Sequence, residues 1–94
     1  MKEIIINEKK FNLVEDVREG FDLEATSTRL TDYYDNYDYI VGDWAYGKLR
    51  LKGFTKKQNK IHNKLNDYDN VKKYIEENCA YGCKHFILER NNID

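Results

Sequence analysis

Two groups of residues in this chain have the types and spacing to do chemistry. The first is Cys79 and Cys83, with His85 two positions on and His62 upstream. Thiolate and imidazole are ligands of tetrahedral zinc, and neighbouring thiols can form a redox pair. The spacing here is C-x3-C, not the C-x2-C of a zinc knuckle, and His62 would have to fold back from a polar loop. The reading favoured is two buried or half-buried thiols near a helix end, kept as free thiols in a cytoplasmic chain, with no metal and no cofactor.

The second group is Tyr46, Lys48, Arg50, Lys52 and Phe54. These are i, i+2 neighbours, so on a strand they project to one side. Cations set between aromatics can hold RNA or single-stranded DNA, because cations neutralise phosphate and rings stack on bases. Lys56 and Lys57 extend the row into the segment that follows. The same row also reads as a solvated face whose lysines discourage edge pairing.

Catalytic chemistry finds little support. Asp35, Asp38 and Asp43 lie near tyrosines, but residues 15–43 hold nine acids, so chance pairs are certain. A solvated acidic face accounts for them. There is no G-x-S-x-G, no phosphate loop and no His-based metal motif. The chain is therefore expected not to be an enzyme. The leading reading is a protein-interaction or regulatory module that binds another protein. The alternative is RNA or single-stranded DNA binding through the 46–54 strand and the 55–64 loop.

The net charge of −1 hides a strong segregation. Residues 15–43 sum to −7, whereas residues 44–66 hold seven bases and no acid. The bland account is two opposed, solvated faces; the sharper one is a basic stretch that meets phosphate. Ninety-four residues suffice for a single domain, 1–94. No apolar run approaches the roughly 20 residues that span a bilayer, and a cytoplasmic protein is expected.

The elements that must position these groups follow from periodicity. Residues 3–7 and 10–15 alternate as a hairpin, with Phe11 and Leu13 inward. Asp22 caps a helix whose apolar positions run from Leu23 to Tyr37, failing by Asp35-Asn36. Residues 37–44 and 48–54 form a second hairpin about a Tyr46-Gly47 turn. Its pairs are Trp44 with Leu49, Gly42 with Leu51 and Ile40 with Gly53 on the core side. Asp43 opposite Arg50 and Val41 opposite Lys52 lie on the other. Residues 55–66 read as a mobile loop. Asp67 or Asp69 caps a second helix to about Asn78, and residues 84–90 form a last strand. The tail, 91–94, should fray. The fold class is α+β in the order ββαββαβ, a mainly antiparallel sheet with both helices on one face.

Two blocks of this pattern resemble a known family. The run from Tyr37 through Val41-Gly42-Asp43-Trp44 to Leu49-Arg50-Leu51-Lys52-Gly53-Phe54 is the first. Cys79, Tyr81-Gly82-Cys83, Phe86, Leu88 and Arg90 are the second. Together they resemble the YutD-like family of small Gram-positive bacterial proteins. The resemblance implies one small α+β domain in a bacterial cytoplasm and brings no catalytic residue with it.

Overall fold

Asn7 and Glu8 both take positive φ, 51° and 69°. That left-handed pair is the geometry of a two-residue hairpin turn, and Asn is among the residues that tolerate it best. It joins β1 (Lys2–Ile6) to β2 (Lys9–Val17) in the computed structural model, which describes residues 2–78 and 83–91. The chain continues as α1 (Leu23–Arg29), β3 (Tyr39–Ala45), β4 (Lys48–Phe54), α2 (Val71–Asn78) and β5 (His85–Arg90). Single 3₁₀ turns occupy Asp32–Tyr34 and Tyr68–Asn70. The strands form one sheet in the order β1-β2-β5-β3-β4, and every neighbouring pair is antiparallel. The expected α+β class and ββαββαβ order are those observed.

The two helices do not share a face. Side chains at alternate positions fill two separate cores. Ile6, Phe11, Ile40, Leu49, Phe86 and Leu88 pack with Ala25 and Leu30 of the α1 region. Val41, Phe54 and Ile87 pack with Val71, Tyr74 and Ile75 of α2. The expectation of both helices on one face is therefore corrected: the sheet is sandwiched between them. Val41, Phe54 and Ile87 share the parity assigned to solvent, and the apolar stripe of α2 needs an apolar surface to cover.

Asp22 caps α1 as expected, accepting from the Ala25 amide at 2.9 Å. The helix ends sooner than its periodicity predicts. Ser27 and Thr28 hydroxyls donate back to the carbonyls of Leu23 and Glu24, at 2.7 and 3.0 Å. Short hydroxyl side chains compete with the helical ladder in this way. Leu30 then turns extended and enters the core.

Residues 55–66 form a loop closed on itself. Thr55 donates its amide to the Asn66 carbonyl at 2.7 Å, and its hydroxyl to the Asn66 side-chain oxygen at 2.7 Å. Asn66 in turn donates to the Ile61 carbonyl at 2.9 Å. Asp67 carries the chain into α2 by accepting from the Asp69 amide at 2.9 Å. Of the tail, Asn91 alone is described; its amide donates to the Lys10 carbonyl at 3.0 Å.

Candidate interaction surface

The basic row is carried by β4, an edge strand. The β3–β4 register is the expected one, with Ala45 opposite Lys48, Asp43 opposite Arg50 and Val41 opposite Lys52. It follows from the two-residue turn, in which Tyr46 and Gly47 both take positive φ, 54° and 74°. Gly47 adopts that conformation freely. Tyr46 does not, and its side chain is fully exposed at the tip.

The row does not lie on an open face. Phe54 is completely buried under α2, with its ring edge-to-face against Tyr74 at 5.5 Å. Lys52 is half-buried, its ammonium 5.4 Å from the Phe54 ring centre and 5.7 Å from that of Tyr74. Arg50 forms a bidentate pair with Asp43, at 3.0 and 2.7 Å, and also donates to the Asn78 carbonyl at 2.8 Å. Asp43 is 1% exposed, so its carboxylate depends on that pair. The hydrogen bond that Arg50 donates to the Asp43 carboxylate raises the Arg50 pKa above its ordinary value. The expectation of a solvent-facing row from Tyr46 to Phe54 is thus corrected. The signal was available in Val41 and Phe54, whose side chains share Arg50's side of the hairpin.

The two loop lysines diverge. Lys57 bridges Asp67 and Asp69 at 2.8 and 3.0 Å, and those carboxylates push its pKa up. Its ammonium, the Asp69 amide and the His62 ring together hold the Asp67 carboxyl well below the usual carboxylate range. Lys56 is exposed, its ammonium 5.9 Å from the Tyr39 ring centre. Of the seven residues singled out, Tyr46, Lys48, Lys56 and Lys57 are exposed at the surface, as is Arg50 beyond its ion pair.

Trp44 is partly buried, on the core side as expected. It packs with Leu49 and Leu51 as expected, and its indole N–H donates to the Gly20 carbonyl at 2.7 Å. That tie from hairpin tip to the α1 approach could not be read from spacing. The acids Asp35 and Asp38 are structural. Asp35 pairs with Lys9, and Asp38 accepts from the Lys56 amide at 2.8 Å and the Asn59 side chain at 3.0 Å.

Among the described residues no group of three His, Cys, Asp or Glu is placed to hold a metal. His62 contacts Asp67 at 3.0 Å and lies in the loop, whereas His85 opens β5. Cys83 is disulfide-bonded, against the expectation of free thiols. Cys79 lies outside the described residues, and with it the C-x3-C pair. No helix among the described residues is long and apolar enough to cross a membrane.

Comparison with known proteins accords with this architecture. A family model described as "Putative antitoxin YutD-like" matches residues 5–89. The Bacillus subtilis (strain 168) protein described as "Putative antitoxin YutD" is 44% identical over 87 residues, covering 93% of this chain and 96% of its own length. The solution NMR structure of B. subtilis YutD superposes with a TM-score of 0.79 at 41% identity, over 98% of this chain and 84% of that one. With the match spanning nearly its whole length, the chain belongs to the YutD-like family.

Proposed function

We propose that this chain is a non-enzymatic module of the bacterial cytoplasm that acts by binding another protein. The observation that carries this reading is Tyr46. A tyrosine in left-handed conformation costs about 1–2 kcal/mol relative to Gly or Asn. Here it is fully exposed, so no burial offsets the cost. Exposed aromatic anchors on a rigid hairpin are common centres of protein contact. The description of the B. subtilis relative, "Putative antitoxin YutD", agrees with a protein partner.

The nucleic-acid reading retains one specific support. Lys48 has no carboxylate partner among the described residues and stands beside Tyr46 at the tip. Against it, Arg50 and Lys57 are paired within the chain, and Phe54 offers no ring face to a base.

Affinity capture from a Bacillus lysate, with and without nuclease, separates the two. The expected result is a protein retained after nuclease treatment and lost with Tyr46→Ala. Capture that disappears with nuclease, and falls steeply with added salt, would overturn the proposal in favour of RNA or single-stranded DNA.

A further inference from the structure

Beside the cationic row lies a cleft of about 360 Å³ between β4, α2 and the turn at Lys64 and Leu65. Its lining includes the apolar surface of Tyr74 and Leu65, and Phe54, which is itself completely buried. Leu65 is 82% exposed, with its amide donating to Asn63 Oδ1 at 2.8 Å. Its charged part is Lys52, Lys64 and Lys73, with Glu77 as the single acid. Lys73 stands 3.9 Å from Glu77, an exposed pair one helical turn apart. Lys52 and Lys64 have no carboxylate partner among the described residues.

The geometry points to this cleft as the docking site for an acidic segment of a partner protein that carries an apolar side chain. The inference deepens the protein-binding reading above and rests on it. Charge complementarity selects the acid, since three lysines and one glutamate line the cleft, and Glu77 pairs only loosely with Lys73. Leu65 and the edge of Tyr74 offer an apolar side chain a surface to cover. One feature disfavours a nucleic acid here: the Lys52 ammonium lies 5.4 and 5.7 Å from the Phe54 and Tyr74 ring centres, over the ring surface a base would need for stacking. A two-fold pairing of this cleft with the same cleft of a second copy is also disfavoured, because apposed lysines would repel.

The test is an amide chemical-shift titration by NMR at low salt. The probes are a blocked hexapeptide alternating glutamate and leucine, its glutamine–leucine counterpart, and oligouridine RNA. The expected result is saturable shifts confined to Lys52, Phe54, Lys64, Leu65 and Tyr74 with the glutamate peptide. The glutamine peptide should bind roughly tenfold more weakly, as should the Lys64→Glu variant, the loss expected when one or two ion pairs are removed. Lys64 is exposed, so its reversal should leave the spectrum otherwise native. Shifts scattered over the chain, equal binding of both peptides, or oligouridine binding more tightly at these residues would overturn the inference. Lys52→Glu, Lys64→Glu and Lys73→Glu combined, used in the capture experiment, separate its failure from that of its foundation. A nuclease-resistant partner held equally well by this variant overturns the cleft and leaves the protein reading intact. A wild-type chain that captures no protein removes that reading itself.

Discussion

Gly42 shows how closely the sheet and its first core are fitted. It lies opposite Phe86 on the neighbouring strand. A Cβ placed on it would come within 2.2 Å of the Phe86 ring tip. Phe86 is completely buried and meets Phe21 edge-to-face at 5.2 Å, so its ring has nowhere to retreat. Overpacking of this kind costs about 1–3 kcal/mol. Gly42→Ala is expected to lose that much in chemical denaturation, with the midpoint falling at unchanged slope. A midpoint equal to wild type would show that the ring can move. At this scale the sequence was informative where parity alone decided: Trp44 opposite Leu49 and Asp43 opposite Arg50 follow from a period of two and a two-residue turn. It was silent on the Trp44 indole bond to Gly20, because a contact 24 residues away in sequence leaves no periodic trace.

The elements themselves were largely legible, and their placement was not. Caps, turns and strand limits depend on neighbours in sequence, which is why Asp22 and the Tyr46-Gly47 turn stand where local chemistry puts them. The face that α2 covers was marked only by the parity of Val41, Phe54 and Ile87, which competes on the same face with Lys48, Arg50 and Lys52. For the same reason the row from Lys48 to Phe54 read as open, whereas α2 and its own ion pairs enclose much of it. The polarity of the loop after β4 predicts mobility, and its asparagines supply hydrogen bonds that close it: Asn66 accepts from the Thr55 hydroxyl at 2.7 Å and the Asn63 amide at 2.8 Å, and its own amide donates to Asn63 Oδ1 at 2.9 Å. Asn66→Ala leaves the buried Thr55 hydroxyl without its side-chain acceptor, at a cost of about 1–3 kcal/mol. Hydrogen exchange gives the check. The Thr55 and Tyr68 amides, bonded at 2.7 and 3.0 Å across the loop closure, should be protected in the wild type and exchange faster in the variant. Fast exchange at both sites in the wild type would support the mobile reading.

At the scale of the whole molecule, a sheet buried on both faces draws tyrosines partway into its cores. Burial raises the phenol pKa of Tyr34, Tyr68 and Tyr74. Tyr39 is affected most. It stacks on Tyr68 with ring centres 3.6 Å apart and donates to Glu89 at 3.1 Å. Burial, and then the Glu89 carboxylate, push its pKa from 10.0 to about 12. A raised value means that the folded state keeps a proton the unfolded state gives up. The stabilisation is therefore complete below pH 10 and is lost between pH 10 and about 12. Lys9 and Lys57, also raised by their carboxylate partners, act in the same direction. The melting temperature is expected to fall steadily over that interval. Tyr39→Phe isolates the largest part. The variant loses the bond to Glu89 and should start from a lower melting temperature at pH 8, yet decline less steeply above pH 10. Parallel declines for wild type and variant would show that Tyr39 ionises as freely in the fold as out of it, which its stacking and its bond to Glu89 argue against.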